Sequence, residues 1–272
     1  MCVGEGSLTT GTISVDDGEL SYELRGSGPP VVLLHGGLLD RRMWDAQVEL
    51  LAPRCTVLRY DARGHGRSST PTGPFRPHED LRLLLAGLGI PRAVLVGLSG
   101  GARIAADFAI SHPEQVERMV LAAPGLSAMT HQDPFVLDQL DQVRKAGEAR
   151  DLAALVECIV RMWVDGPRRA PANVSAAVRE ECRVMYRDTL ARHGFAMTMV
   201  SELTAVERAA EIVAPSLLMV GDQDSSDIHD IVDLLAAAAP ETTKLVLPGA
   251  GHMLNLESPQ AFHAAVTDFL GH

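Results

Sequence analysis

The sequence predicts an α/β protein built on a mostly parallel sheet of eight strands that is flanked by helices. Short apolar segments alternate with amphipathic helical patterns through most of the 272 residues, and this alternation is typical of a parallel sheet. The alternation stops once, over residues 126–213, where only helical patterns occur. We therefore expect residues 1–125 and 214–272 to form one core, with residues 126–213 inserted as a helical cap.

The strands divide into a hairpin and a series of buried runs. Residues 12–26 alternate between apolar and polar around a turn at Asp17 and Gly18, which predicts two antiparallel strands at the sheet edge. The later runs are short and apolar and end in glycine or polar residues, as expected of strands covered on both faces. They lie at residues 31–37, 55–64, 93–101, 118–125, 216–224 and 243–252.

The helices predicted for the core alternate with these strands and close the chain. They cover residues 43–53, 78–90, 102–113 and 259–270. In the expected cap, apolar residues recur at helical spacing. The cap helices are predicted at residues 133–147, 151–164, 175–194 and 195–212.

Composition and charge exclude several classes of protein. The formal net charge is -11, which opposes binding to nucleic acid or to an anionic membrane surface, and no apolar stretch approaches the roughly 18 residues of a spanning helix. The 4 cysteines form no zinc-binding pattern, so no metal is expected. The acidic N-terminal stretch lacks the features of a signal peptide, so we expect a cytoplasmic protein. A homodimer is possible, because the sequence does not determine the oligomeric state.

The strongest chemical signal is the sequence Gly97-Leu98-Ser99-Gly100-Gly101, which lies between a predicted strand and a predicted helix. A G-x-S-x-G pattern in this setting is typical of a sharp turn that exposes a serine nucleophile. Small neighbours are needed because larger side chains would collide within the turn. The plain alternative is a serine that caps the helix.

A serine hydroxyl is a weak nucleophile, so the hypothesis requires a base and a carboxylate behind that base. Among the 10 histidines, His252 stands out because it follows the last predicted strand, at the edge where α/β active sites gather. Asp222 and Asp224 both follow the preceding strand and are both candidates for the acid. Asp227, further along, is expected to belong to a solvated helix start.

Two backbone amides are the usual donors to the oxyanion that acyl transfer creates. Gly100 is expected to supply one of them. The second is expected from the loop after the strand at 31–37, where Gly37 is favoured and Leu38 is next; the alternative is a tight strand exit without such a role. His35 in this loop is predicted to be structural. Residues 61–68 are rich in charge but are also predicted to be structural.

The motifs of the chain resemble those of the α/β-hydrolase superfamily and occur in the same order. They are HGG, DARGHGRS, GLSGG, GDQD and GAGHMLNLESP, and they span nearly the whole chain. The resemblance implies the α/β-hydrolase fold and a triad of Ser99, Asp224 and His252, because the acid of this family usually closes a G-x-x-D turn. It implies no cofactor.

Within the superfamily, the chain is most similar to 3-oxoadipate enol-lactonases and small carboxylesterases. It departs from that branch at Gly100, where methionine is common, and in its HGG loop. The resemblance implies hydrolysis of a small or medium carboxylic ester or lactone through an acyl-enzyme. The alternatives are cleavage of a carbon-carbon or other non-ester bond, as in tailoring of a natural product, and ligand binding without turnover. Ser99 argues against dehalogenases and epoxide hydrolases, which use aspartate there.

The expected substrate is an apolar or moderately polar small molecule, and apolar side chains near the site are candidates for binding it. The alternative is that they form the helix core. The main candidates are Leu38, Trp44, Met129, Trp163 and Met253. Further candidates in the cap are Met162, Met185, Tyr186, Met197 and Met199.

Overall fold

The computed structural model describes residues 8–271, except for the side chain of Met197. Its sheet has eight strands in the spatial order 1-2-4-3-5-6-7-8 along the chain numbering. They are β1 (Thr9–Val15), β2 (Gly18–Arg25), β3 (Pro30–Leu34), β4 (Thr56–Tyr60), β5 (Ala93–Leu98), β6 (Val116–Ala122), β7 (Ser216–Gly221) and β8 (Thr242–Leu247). The predicted fold class is confirmed.

The neighbouring strands β4, β3, β5, β6, β7 and β8 run parallel to one another, whereas β2 pairs antiparallel with both β1 and β4. The prediction that both hairpin strands lie at the edge is wrong for β2, because Tyr22 of β2 pairs with Tyr60 of β4. Every residue of β5 and β7 is buried. These apolar runs therefore lie in the centre of the core, as strands covered on both faces do.

Ten α-helices flank the sheet or connect its strands in the described part of the chain. They are α1 (Asp45–Leu51), α2 (Pro77–Gly87), α3 (Gly100–Ser111), α4 (Pro134–Glu148), α5 (Leu152–Ile159), α6 (Ala176–His193), α7 (Ala205–Arg208), α8 (Ser226–Ala238), α9 (Leu254–Glu257) and α10 (Pro259–Leu270). α3 follows β5 directly and contacts β3, β5 and β6. It therefore begins in the middle of the sheet, at the carboxyl end of β5.

The chain between β6 and β7 forms α4 to α7 and a π-helical turn at Val160–Asp165 that extends α5. The helix expected over residues 195–212 is broken, because Val200 forms an isolated bridge with Phe75. The amide of Phe75 donates to the Met199 carbonyl and that of Ser201 to the Phe75 carbonyl, at 3.1 and 2.8 Å. These bonds hold the chain extended there. The division into core and cap at residues 126 and 213 stays a prediction.

The described residues contain no helix that is long and apolar enough to cross a membrane. Across residues 8–271, no cluster of histidine, cysteine and acidic side chains has the arrangement of a metal site. Residues 1–7, which are part of the N-terminal stretch behind the cytoplasmic prediction, lie outside the described residues.

Candidate active site

Ser99 lies in the tight turn between β5 and α3, with a backbone φ of 54° and ψ of -113°. A non-glycine residue with positive φ is strained, and such strain is concentrated at functional sites. Glycine is needed on both sides of it: a Cβ on Gly97 would lie 2.5 Å from the carbonyl carbon of Gly101, and a Cβ on Gly101 would overlap the carbonyl oxygen of Leu34. The turn thus holds Ser99 at the end of β5, at the N-terminus of α3.

His252 and Asp224 form a buried hydrogen-bonded pair at the ends of the last two strands. The distance from His252 Nδ1 to Asp224 Oδ2 is 2.8 Å, and both residues are 2% exposed. Asp222, the alternative acid, instead accepts a hydrogen bond from the Gly249 amide at 2.7 Å. Because an ionised carboxylate only accepts, Nδ1 of His252 carries the donated proton.

The second ring nitrogen of His252, Nε2, is buried and has no hydrogen-bond partner among the described residues. His252 lines the same cavity as Ser99. In structures without ligand, the hydrogen bond between nucleophile and base is often long or poorly aligned. An unsatisfied imidazole nitrogen on a histidine that shares a cavity with a strained serine is the arrangement that a general base would have.

The predicted oxyanion donors, Gly37 and Gly100, lie close together. A Cβ on Gly100 would lie 3.0 Å from the Gly37 amide nitrogen, and neither amide donates a hydrogen bond within the described chain. The amide of Leu38 is already used, because it donates to His65 Nε2 at 3.1 Å. Gly37 rather than Leu38 is the amide left to act with Gly100.

Two histidines brace the loop that carries Gly37. His35 Nε2 accepts from the Ala62 amide at 3.0 Å, and His65 Nδ1 donates to the Arg63 carbonyl at 3.0 Å. Burial and the neighbouring His35 lower the pKa of His65 to about 3, so its imidazole is neutral and Nε2 can accept from Leu38. This geometry agrees with the structural role predicted for His35 and for residues 61–68.

A cavity of about 380 Å³ opens above Ser99 and His252 and reaches between the helices that follow β6. Of the predicted binding residues, Leu38, Met129, Trp163 and Met253 line it, together with Met162 and Tyr186. Met185 is 1% exposed and belongs to the core, while Met199 is 39% exposed and lies outside the cavity lining. The side chain of Met197 lies outside the described residues.

The prediction for Trp44 is wrong. Trp44 ends a 3-10 turn at Arg41–Trp44, and its side chain is completely buried. The indole lies against Phe262 of α10, with 6.0 Å between the ring centroids. The turn therefore directs the indole into the core rather than into the cavity.

The comparisons with known proteins agree with this fold. The model of the alpha/beta hydrolase family matches residues 31–265. The chain belongs to the alpha/beta hydrolase family. It is 27% identical to 3-oxoadipate enol-lactonase 2 of Acinetobacter baylyi over 94% of each chain. The solved structure of a Pseudomonas aeruginosa hydrolase has 32% identity and a TM-score of 0.79 and covers 100% of both chains.

A solved enol-lactonase from Burkholderia xenovorans is similar to this alpha/beta hydrolase as well. It has 27% identity and a TM-score of 0.80, with 96% of this chain and 100% of the other covered. The relatives include enzymes that hydrolyse esters and lactones. At the level of the family, these likenesses support a hydrolytic enzyme.

A second histidine at the cavity was missed by the sequence analysis. His131 lines the cavity, and its Nδ1 lies 3.1 Å from Oδ2 of Asp227. The indole of Trp163 contacts both histidines, with centroid distances of 5.8 Å to His131 and 4.8 Å to His252. Asp227 is 4% exposed, so the prediction that it belongs to a solvated helix start is wrong.

An ion pair was missed as well. Arg103 of α3 and Glu202 both line the cavity, and Arg103 Nη1 lies 2.6 Å from Glu202 Oε1. Glu202 also accepts from the Ala128 amide at 2.8 Å. The pair connects the helix behind Ser99 to the segment that returns from the predicted cap. No sequence pattern linked these residues, because they are distant along the chain.

Asp107 of α3 is a buried carboxyl group beneath the site. It accepts a hydrogen bond from the Ser127 hydroxyl at 2.6 Å. Burial raises the pKa of Asp107 to about 6 from the usual 3.8, although the hydrogen bond from Ser127 opposes the shift. The folded protein therefore favours the protonated carboxyl group more than the unfolded chain does.

This shift in pKa predicts that Asp107→Asn becomes more stable relative to wild type as the pH rises. Because the folded pKa is raised, the contribution of Asp107 to stability is complete below about pH 4 and is lost as the pH rises through about 6. Asparagine has no charge to desolvate and can still accept from Ser127. We expect the free energy of unfolding of Asp107→Asn, relative to wild type, to rise by roughly 3 kcal/mol at most across that range. Urea unfolding of both proteins across this pH range measures it, and a constant difference would contradict it.

Proposed function

We propose that this alpha/beta hydrolase cleaves a small or medium carboxylic ester or lactone through an acyl-enzyme formed on Ser99. The observation that carries the proposal is the strained Ser99 turn, which shares one cavity with His252, the histidine that is paired with the buried Asp224. A nucleophile, a base and a carboxylate that orients the base are the three parts that acyl transfer by serine requires.

In the first step, the Ser99 hydroxyl oxygen attacks the carbonyl carbon of the substrate, and its proton passes to His252 Nε2. The carbonyl bond electrons move onto the oxygen, which the amides of Gly37 and Gly100 stabilise by hydrogen bonds. Collapse of this intermediate re-forms the carbonyl and breaks the bond between its carbon and the alcohol oxygen, which leaves with the proton from His252. The acyl group is left on Ser99.

In the second step, water attacks the acyl-enzyme. His252 Nε2 accepts a proton from the water, and the same two amides hold the new oxyanion. Collapse breaks the bond to Ser99, which recovers its proton from His252, and the carboxylic acid leaves. In both steps Asp224 keeps Nδ1 of His252 protonated and stabilises the imidazolium, so it positions the base without itself being protonated.

The lining of the cavity supports a substrate of limited size and low polarity. Its volume of about 380 Å³ lies in the range of pockets for small molecules, which are mostly apolar with a few polar groups. The residues that surround the reacting centre include Leu38, Leu126, Met129, Met162 and Met253. Thioether side chains adapt to different shapes, which favours an ester or lactone with an apolar portion.

The test is covalent labelling with a fluorophosphonate, which reacts with activated serine and is followed by intact-protein mass. We expect wild type to gain the mass of one phosphonyl group and Ser99→Ala to gain none. Ser111→Ala, a half-buried serine at the end of the same helix, serves as the control and is expected to be labelled like wild type. Equal labelling of Ser99→Ala and wild type, or no labelling of wild type, would contradict the proposal.

A further inference from the structure

We propose that His131, held by Asp227, forms a subsite in this cavity for a hydroxyl group of the substrate. The proposal rests on the proposed ester or lactone hydrolysis and adds to it a group that the substrate carries apart from the scissile bond. Its starting observation is that His131 lines the same cavity as His252 and, like His252, is paired with a buried aspartate through Nδ1.

The surroundings of Asp227 fix the proton on His131. One oxygen of Asp227 accepts from the amides of Gln132 and Asp133 at 2.8 and 2.9 Å, and the other lies 3.1 Å from His131 Nδ1. A carboxylate that receives three N–H groups is an acceptor, so Nδ1 of His131 carries the proton that it donates. In the neutral ring, Nε2 is then an acceptor.

Among the described residues, the hydrogen bond of the His131 ring is the one from Nδ1 to Asp227, and Nε2 makes none. The side chain of His131 is 26% exposed and lines the cavity. The ring is packed against Trp163, at a centroid distance of 5.8 Å. Its position is therefore fixed from two sides, by Asp227 and by the indole, and its free nitrogen is available to a ligand.

The position of this nitrogen sets where the ligand group must be. The Trp163 indole contacts both His131 and His252, and all three residues line the cavity that contains Ser99. A substrate group that bonds to His131 would therefore lie beside Trp163, several bonds from the reacting carbonyl. The same cavity is lined by the apolar residues Leu140 and Val143 of α4 and Ile228 of α8.

A hydroxyl group fits Nε2 better than other oxygen groups do. A hydroxyl donates to the neutral imidazole and accepts from the protonated one, whereas an ether or ketone oxygen can only accept. A carboxylate is disfavoured, because the neutral His131 ring carries no charge and the arginine in the described lining, Arg103, is already paired with Glu202. No unpaired cation remains among the described lining residues to offset a buried anion.

The experiment compares methyl hexanoate with its terminally hydroxylated analogue, its terminal methoxy analogue and the monomethyl ester of adipic acid. A second pair consists of hexyl acetate and its terminally hydroxylated analogue, in which the hydroxyl lies in the alcohol portion of the ester instead of the acyl portion. We expect wild type to prefer a hydroxylated ester over its parent by about tenfold in kcat/KM, the usual effect of one hydrogen bond. The methoxy and carboxylate analogues should show no such preference.

His131→Phe is the decisive variant, since it keeps a ring against Trp163 and removes Nε2. We expect it to erase the preference, so that the hydroxylated ester and its unsubstituted parent have equal kcat/KM in this variant within about twofold. Leu140→Ala, an apolar change in the same wall, should alter both esters alike. A preference that survives in His131→Phe, or a larger preference for the carboxylate, would overturn the proposal.

Binding separates failure of this inference from failure of the proposed function. In the Ser99→Ala background, equilibrium dialysis should show the hydroxylated ester bound about tenfold tighter than its parent, and His131→Phe should remove that difference. This result does not require turnover. If the hydroxylated ester binds more tightly than its parent but no hydrolysis depends on Ser99, the proposed hydrolase function is refuted. If hydrolysis depends on Ser99 but the two esters bind equally, only the subsite is refuted.

Discussion

Replacing Ser99 with alanine is expected to lower kcat for p-nitrophenyl butyrate by about three to six orders of magnitude, because no other group can form the acyl-enzyme. His252→Ala should cause a loss of similar size, since without Nε2 the Ser99 hydroxyl keeps its proton. The double variant should be about as slow as either single variant, because residues that act as a unit lose their contribution together. Steady-state and single-turnover rates measure these values.

Ser99→Ala removes the hydroxyl without changing the backbone strain, because alanine and serine are both strained at the φ of 54° that this turn requires. Ser99→Ala should therefore unfold at the same urea concentration as wild type, whereas Ser99→Gly should be more stable by up to about 1 kcal/mol, since glycine adopts positive φ freely. More than a tenth of wild-type kcat in Ser99→Ala would refute the nucleophile. Additive losses in the double variant would refute the coupling of Ser99 and His252.

The parts of the molecule that the sequence predicted are those that depend on local pattern. β5 and the start of α3 follow from an apolar run, two glycines and a helical period, and they bring Ser99 to a defined place at the sheet centre. His252 and Asp224 follow from strand ends, because the carboxyl ends of parallel strands lie along one edge. Their distance of 2.8 Å agrees with that reasoning, while their catalytic roles stay a prediction.

The errors arose where a side chain could point in two directions. Trp44 follows the loop of Gly37 closely enough to reach the cavity, but one 3-10 turn directs the indole towards Phe262. Asp227 lies in the first turn of α8, where an acidic residue is usually solvated and stabilised by the helix dipole. It is buried instead, because the amides of Gln132 and Asp133 approach it from the segment after β6.

Groups that come together from distant segments left no signal in the sequence. His131 and Asp227 are 96 residues apart, and Arg103 and Glu202 are 99 apart. Each member has an ordinary solvated role when its own neighbours along the chain are considered. Only the packing of the helices between β6 and β7 over the sheet gives these residues a common cavity, so their chemistry could be inferred only from the three-dimensional structure.

Gly101→Ala is expected to destabilise the fold more than any other single-methyl change in the active-site turn. A Cβ at Gly101 would overlap the carbonyl oxygen of Leu34 and lie 2.7 Å from that of His35. Both atoms belong to the backbone at the end of β3, which pairs with β4 and β5, so neither can move without disturbing the centre of the sheet. We expect the free energy of unfolding to fall by at least about 3 kcal/mol, as measured by urea unfolding.

Gly73→Ala is the matched control, because a Cβ there meets no atom within 4 Å. Its free energy of unfolding should stay within about 0.5 kcal/mol of wild type, so a large loss in Gly101→Ala can be attributed to the clash rather than to a general effect of replacing glycine. Equal stability of the two variants would mean that α3 can move away from β3. In that case the turn would not be held rigidly, and the strained backbone of Ser99 would relax in the Gly101→Ala protein with loss of turnover but not of folding.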